Sequence, residues 1–503
     1  MSKPPIEPKT SKPRKLAKSP TGIKGFDQIT DGGLPKNNIT LISGGAGSGK
    51  TLFGLDFVIS GALEFGEPGV FMSFEESSED LARDVASLNW DLKGLVSKRQ
   101  LVLEFVTLER RDIQEADFNL EGVIVRLENA IDAIGAKRVV MDSIESLFAG
   151  ITDQGILRLE IKRLFRWLKN KGVTALVSVE PGPNGAYSRH GVEEYISDCL
   201  VFLDNRVNDQ HSIRRIRIIK YRGSSHGTNE YPFIIDHDGL SVIPITSATL
   251  NQRRRTKRVS TGIPSLDKLF QGGGYITGSS VLLSGTAGTG KTSLAAAFAV
   301  EQCRLGERCL FLSYEESPEQ LVENMNSIGL DMAPFVKAGL LKIEASRPSS
   351  AGLEKHLLDL YKTIAEFKPK GVVIDPLTSL IGEGSEREVK SMVTRMLDHL
   401  KTEGITAVCT SLVSSTAPNY SGGEIGVSSL IDTWIVVREL EEDVGRKRIR
   451  GLYIVKSRGM GHSSDVHKLV LNDDGISLVP VDPSETLMTA GRNASETKKM
   501  RGS

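Results

Sequence analysis

Gly44-Gly45-Ala46-Gly47-Ser48-Gly49-Lys50-Thr51 and, much later, Gly285-Thr286-Ala287-Gly288-Thr289-Gly290-Lys291-Thr292 are two copies of one pattern, G-x-x-x-x-G-K-T. Each follows a short apolar run ending in Ser (39–43 and 281–284) and precedes an apolar helical stretch. A buried strand that feeds a Gly-rich turn and a helix N-terminus aims several backbone N–H groups at one point, which suits a polyphosphate. The Lys then serves the β- and γ-phosphates and the Thr hydroxyl coordinates Mg²⁺. Two matches in matched context predict two nucleotide sites. One uses Gly45, Gly47, Ser48, Gly49, Lys50 and Thr51; the other uses Thr286, Gly288, Thr289, Gly290, Lys291 and Thr292.

The repeat extends beyond the loops. Thr21-Gly22-Ile23 returns as Thr261-Gly262-Ile263, and Phe74-Glu75-Glu76-Ser77 as Tyr314-Glu315-Glu316-Ser317. Val139-Val140-Met141-Asp142 returns as Val372-Val373-Ile374-Asp375, and Lys220-Tyr221-Arg222-Gly223 as Lys456-Ser457-Arg458-Gly459. Order is kept while spacing drifts, as in a duplication followed by loop changes. The period is far longer than a solenoid repeat, so whole domains are repeated. Expected boundaries are domains at 20–246 and 260–484, a linker at 247–259, and disordered tails at 1–19 and 485–503.

Apolar β-rich runs (69–74, 138–141, 175–179) each follow an amphipathic helical stretch, which predicts an α/β fold with a mostly parallel sheet covered on both faces. The runs 200–203, 212–220 and 231–235 succeed one another without helices, so an antiparallel extension at the sheet edge is expected. The 503 residues include 63 basic and 63 acidic side chains. That balance provides no global field toward nucleic acid or a membrane. The basic run 253–258 reads as a solvated linker. No apolar run nears the length of about 20 needed to span a bilayer, and 1–19 lacks the apolar core of a signal peptide. Cys199, Cys303, Cys309 and Cys409 show no C-x-x-C spacing and read as reduced packing residues of a cytoplasmic protein.

Hydrolysis or transfer also needs a metal anchor, a carboxylate facing the nucleophile, and positive charge for the transition state. Asp142 and Asp375 each end an apolar strand and suit the anchor role. Ser143 and Pro376 follow them, so the catalytic carboxylate comes from elsewhere. Glu75-Glu76 and Glu315-Glu316 close the strand after each P-loop helix, at the carboxyl end where parallel-sheet sites lie. Adjacent carboxylates repel, which raises one pKa toward a base's working range; acids at a helix start are the other reading. Lys220, Arg222 and His226, echoed by Lys456, Arg458 and His462, supply positive charge. Position alone leaves open whether they reach their own nucleotide or a neighbour's.

From about Gly22 to Val479 the chain resembles the KaiC family of circadian-clock ATPase/kinases. The resemblance rests on the paired P-loops, both Glu-Glu pairs, Arg189-His190-Gly191-Val192-Glu193-Glu194-Tyr195, the 220–226 segment with Glu230-Tyr231-Pro232-Phe233, and Val427-Ser428-Ser429-Leu430-Ile431-Asp432-Thr433. It implies a tandem of RecA-like domains and a double-ring homohexamer with Mg²⁺ and ATP between adjacent subunits. It adds Leu52, Ser87, Arg214, Tyr221, Ser224, Ser293, Arg450 and Ser457 to the nucleotide sites. Lys220, Arg222 and Arg214, and in the second ring Arg450, Lys456 and Arg458, would reach the neighbour's nucleotide. Glu75 would activate water and Glu315 would be a general base and metal neighbour, beside Thr51, Asp142, Thr292 and Asp375 as metal ligands.

The family's two phosphorylated hydroxyls fall on Ser428 and Ser429, which makes autophosphorylation the expected second-domain reaction. Gly423 stands where the family has another hydroxyl. Ile328 replaces an aromatic residue beside the adenine, whereas Trp90 remains. The stretch from Asp482 does not resemble the family's segment for an activating partner, so KaiB-like or response-regulator and histidine-kinase partners are expected instead. Two other readings use the same motifs: a RecA-like DNA motor, and an ATP-gated scaffold without kinase activity. The segments 181–190 and 414–423 carry few basic residues, which argues against the DNA motor.

Overall fold

The computed structural model describes residues 16–106, 120–148, 151, 153–189, 191, 193–208, 211–244, 256–350, 352–413, 429–442, 447–473 and 475–481. The chain divides into two compact units, Met1–Ile245 and Thr246–Ser503. The tail residues expected at 1–15 and 485–503 lie outside the described set.

In the first unit nine strands form one sheet: β1 (Ile39–Gly44), β2 (Gly69–Ser73), β3 (Leu101–Phe105), β4 (Arg138–Asp142), β5 (Thr174–Val179), β6 (Cys199–Asn208), β7 (His211–Tyr221), β8 (Tyr231–Asp236) and β9 (Gly239–Val242). Their order is β9-β8-β7-β6-β1-β5-β4-β2-β3. Strands β6 through β3 in that order are parallel, and β7, β8 and β9 add antiparallel pairs at one side. The second unit repeats this with β10 (Ser280–Gly285), β11 (Cys309–Ser313), β12 (Leu341–Ala345), β13 (Gly371–Asp375), β14 (Thr406–Leu412), β15 (Thr433–Glu442), β16 (Lys447–Ser457), β17 (His467–Asn472) and β18 (Gly475–Pro480). Its order is β12-β11-β13-β14-β10-β15-β16-β17-β18. These are tandem RecA-like domains.

Every residue of β1 and of β10 is buried, as continuous apolar runs in a covered parallel sheet require. The helices after the P-loops, α1 (Lys50–Glu64) and α2 (Lys291–Arg304), are buried nearly all round and bridge the central strands. The outer helix α3 (Gln154–Lys171) is amphipathic and capped at both ends. Asp153 accepts from the Gly155 and Ile156 amides, and Gly172 at φ 74° ends the helix.

One core pairing is reversed between the units. Arg138, the first residue of β4, is fully buried beneath α1, where Gly61 makes room for it: a Cβ at Gly61 would stand 2.4 Å from the Arg138 Cδ. Arg138 donates to Glu67 (2.9 Å), Phe57 O (2.8 Å) and Pro20 O (2.7 Å). In the second unit the matching strand position is Gly371, and the matching helix position is Gln302, also buried.

The sheet extends further than the apolar runs foretold. Strands β6 and β7 continue as a hairpin through polar residues 204–208, beyond the buried part. The expected tail and linker boundaries also shift. Lys18–Ser19 pair antiparallel with Leu34–Pro35, and Arg258–Val259 pair with Tyr275–Ile276. A polar composition hid these two straps, which are held by backbone pairing and by buried Ser19 rather than by apolar periodicity. Residues 253–255 of the basic run lie outside the described set. Among the described residues no helix is long and apolar enough to cross a membrane.

Candidate nucleotide sites

Both P-loops leave the carboxyl end of a central strand and open a helix whose N-cap is a Gly in the left-handed region, Gly49 at φ 99° and Gly290 at φ 95°. A side chain there would be strained, and at Gly49 a Cβ would also meet Ile235 of β8 at 2.9 Å. Neither helix has a side-chain cap or an acidic residue in its first turn. The first-turn amides and the positive end of the dipole are therefore available to an anion, as a phosphate cradle requires. Lys50 Nζ lies over the loop and donates to Gly44 O (2.6 Å) and Gly45 O (3.2 Å); Lys291 Nζ donates to Thr286 O (2.7 Å). Burial pushes the Lys291 ammonium below its ordinary value, with Asp375 and Glu315 acting against it. Ser48 and Thr289 are buried inside their loops, Leu52 packs on the core, and Ser293 is buried in α2.

The hydroxyl after the Lys meets the strand-end carboxylate in both units. Thr51 Oγ1 donates to Asp142 Oδ2 at 2.7 Å, and Thr292 bonds Asp375. A hydroxyl from the adjacent strand completes each carboxylate: Ser178 of β5 donates to Asp142, and Thr410 of β14 donates to Asp375. Burial raises both carboxyl pKa values, and these hydroxyl bonds offset the rise. A Thr hydroxyl beside an Asp matches the small protein share of a P-loop Mg²⁺ site, where phosphates and waters supply the other ligands. Among the described residues no group of three His, Cys, Asp or Glu side chains forms a separate metal site.

The Glu pairs sit in the turn between strand and helix. The helices start only after them, capped by Ser77 and Ser317, so the acids are not part of the first helical turn. Glu75 Oε1 accepts from Ser143 Oγ (2.5 Å) and Ser146 Oγ (2.7 Å), both in the segment after Asp142. Glu315 Oε1 accepts from Ser379 Oγ (3.3 Å), the position matching Ser146. Glu76 has a raised pKa, mainly from burial and then from Asp142, Asp84 and Glu75. Ser178, Thr410, Ser146 and Ser379 escaped the sequence reading. Ser178 and Thr410 lie within strands beside the carboxylate strand, and Ser146 and Ser379 follow a strand end; each is a common hydroxyl whose partner is remote in sequence.

Sheet register places the late cations along the strands. Lys220 pairs with Leu200, which lies one place along from the Cys199–Thr40 pair, so it is level with Leu41. The Arg222 amide bonds Asp198 O, and the Asp198 amide bonds Ile39 O. Lys220 and Arg222 thus stand at the amino end of β1, while the P-loop leaves its carboxyl end. At about 3.3 Å per residue, Lys220 is about 10 Å back from Gly44 along the sheet. Lys456 and Arg458 repeat this arrangement through Trp434 and Asp432. Lys220 Nζ is held by Glu194 O (2.6 Å) and Ser197 O (2.7 Å), and Arg222 by Tyr195 O (2.7 Å). Burial, then Arg222, lowers the Lys220 pKa.

Tyr221 is buried and donates to Gly33 O at 2.8 Å; His226 stacks on its ring at 6.2 Å. Ser224 bonds Ser225 O, Ser457 bonds Thr433, and His462 faces Ser463 O. Arg214 and Arg450 pair with Asn205 and Glu439 toward the other end of the same strands, well apart from Lys220 and Lys456. Ser87 is exposed in a 3-10 turn. Ser429 is exposed, and its carbonyl accepts from Arg458 Nη2 at 2.7 Å; Ser428 lies outside the described residues.

A tandem of RecA-like sheets with two complete P-loop sites defines a P-loop ATPase with two nucleotide centres. The family model described as "ATPase: KaiC" matches residues 19–247 and 259–482, and the chain belongs to that family. It is 48% identical over 92% of its length to a protein named circadian clock protein KaiC2 of Synechocystis, of which 82% is covered. It is 37% identical, again over 92%, to the circadian clock oscillator protein KaiC of Parathermosynechococcus lividus, of which 86% is covered. To the protein of that same name from Prochlorococcus marinus it is 36% identical, with 92% of each chain covered.

Proposed function

We propose that this chain is a Mg²⁺-ATP-dependent ATPase and serine autokinase that works as a cytoplasmic homohexamer, its domains at 20–246 and 260–484 forming two rings. ATP sits at each P-loop, with Thr51 and Asp142, or Thr292 and Asp375, on the metal. Glu75 directs water at the first site, with Glu76 beside it. At the second site Glu315, beside Glu316, takes the proton of an incoming Ser hydroxyl as its Oγ bonds the γ-phosphorus and ADP leaves. Lys220 and Arg222, or Lys456 and Arg458, stabilise the charge on the neighbour's nucleotide, and Arg214 and Arg450, toward the other end of the same strands, are assigned to that nucleotide as well.

One observation carries the reading. Ser429 is exposed and sits on Arg458, a cation on the far end of the sheet from its own P-loop. One edge of the second domain therefore offers both an acceptor hydroxyl and a transition-state cation to another subunit, which is what transfer in trans requires. The phosphorylation state of Ser428 and Ser429 would signal to KaiB-like, response-regulator or histidine-kinase partners through added charge.

The test is intact-mass spectrometry with peptide mapping after incubation with Mg²⁺-ATP, comparing wild type with Ser428→Ala/Ser429→Ala. Phosphate mapped to those serines in the wild type alone is expected. Equal labelling of both proteins, or hydrolysis with no incorporated phosphate, would overturn the kinase assignment and leave an ATP-gated scaffold.

A further inference from the structure

The strap preceding each domain carries one basic residue at the same repeat position, Lys18 before Thr21 and Arg258 before Thr261. Lys18 lies against Tyr221, between the two late cations of its unit, and Arg258 lies against Met460, in the turn that follows the late cations of its own. Lys18 Nζ donates to Thr30 O (2.6 Å) and Asp31 O (2.8 Å), and it stands 5.0 Å over the ring of Tyr221, between Lys220 and Arg222. Its side chain is only 13% exposed. Arg258 Nη1 donates to Sδ of Met460, two residues after Arg458.

Each segment is further zipped to the lobe that the strap begins. In the first unit Tyr221 Oη bonds Gly33 O and the Gly227 amide bonds Ile29 O, both at 2.8 Å. In the second unit the Gln271 amide bonds Gly461 O (2.9 Å), the Ser463 amide bonds Leu269 O (2.8 Å), and Phe270 bridges His462. Neither strap cation belongs to a P-loop.

We propose that Lys18 and Arg258 are positioning residues: each clamps the segment that carries its own subunit's Lys–x–Arg pair and aims it at the neighbour's nucleotide. This rests on the trans role proposed above for Lys220, Arg222, Lys456 and Arg458. Long cationic side chains lose force when their backbone is free to shift, and misplacement by about 1 Å costs up to 100-fold in rate. Tyr221 and Met460 are soft, polarisable surfaces for a cation, and Lys18 is also ion-paired with Asp31 at 3.8 Å.

The domain-specific placement gives a crossed test on the full-length protein. Arg258→Met is expected to lower the maximal rate of phosphate incorporation about tenfold, leaving its half-saturating ATP concentration and steady-state hydrolysis within about twofold. Lys18→Met is expected to lower hydrolysis about tenfold and to spare incorporation within the same margin. Arg258→Lys should recover most of the rate, and Met460→Ala, which keeps Arg258, should repeat the loss if Arg258→Met folds poorly.

Both strap variants running at wild-type rates, or each slowing both reactions equally, would overturn the proposal. Wild-type protein that incorporates no phosphate would instead overturn the kinase reading, and the Lys18 arm would still decide the clamp through hydrolysis.

Discussion

Replacing Glu75 by Gln separates the two adjacent carboxylates that the sequence could not tell apart. Glu75 is the one whose geometry is fixed: two hydroxyls from the segment after Asp142, at 2.5 and 2.7 Å, hold one of its oxygens. Glu76 is tied only through its amide to Ser73 at 3.0 Å, and its raised pKa comes first from burial. Geometry precedes pKa in naming a base. Loss of a general base costs roughly 10²–10⁴ in rate, or about 3–5 kcal/mol of barrier. Gln keeps the size and the Ser143 and Ser146 contacts, so the loss measures proton acceptance and not packing. Glu76→Gln, which also removes repulsion between neighbouring carboxylates, should change the rate by no more than about threefold. Steady-state phosphate release at saturating Mg²⁺-ATP reads both, with nucleotide binding checked separately. If Glu76→Gln is the more damaging variant, or Glu75→Gln keeps more than about a tenth of the rate, Glu75 is not the base.

Three further outcomes are expected. Glu315→Gln should stop phosphate incorporation at Ser428 and Ser429 while ATP remains bound, read by peptide mapping and nucleotide content; continued incorporation would remove Glu315 from the base role. Arg138→Met strands the Phe57 and Pro20 carbonyls in the first core and leaves Glu67 with Lys36 and Ser19 alone. It should destabilise that unit by about 3–5 kcal/mol, seen as an early calorimetric transition, and an unchanged transition would refute the anchoring role. Asp56 is buried under the Leu240 amide, and burial raises its pKa from 3.8 to about 6. A carboxyl raised in the fold binds its proton more tightly folded than unfolded, so its contribution is full below pH 3.8 and is lost as pH rises through about 6. The melting temperature of wild type should therefore fall relative to Asp56→Asn between pH 4 and 7, by the equivalent of about 3 kcal/mol. A constant difference across that range would show that Asp56 does not titrate there.

Much of this architecture was readable because its motifs are local. The P-loops, Asp142, Asp375 and the Glu pairs each sit at the end of a continuous apolar run, and a parallel sheet gathers such ends on one edge. The hydroxyls of Ser178, Thr410, Ser146 and Ser379 act across strands or turns, and no spacing rule marks them. The whereabouts of Lys220 and Arg222 depended on antiparallel register, which a bulge between Leu200 and Val201 shifts by one residue. The straps at Lys18 and Arg258 looked like tail and linker because two-residue strands leave almost no pattern.

The reversed core pairing has an evolutionary consequence. Arg138 lies among Gly61 and Gly69, whereas a Cβ added at Gly371 would stand 3.1 Å from Gln302 Cγ, 3.1 Å from Phe298 Cε1 and 3.2 Å from Cys309 Sγ. Large and small have traded places at three corners of one contact (Gly61 and Gln302, Gly69 and Cys309, Arg138 and Gly371), while Phe57 and Phe298 keep a Phe at the fourth. A recombination event that moved a single strand or helix from one half to the other would bring two bulky groups together, or leave a hole where both were small. Since the duplication, the halves have thus become partners that cannot repair each other by exchanging segments. Each domain is then free to diverge at its own nucleotide site without being averaged back into its twin.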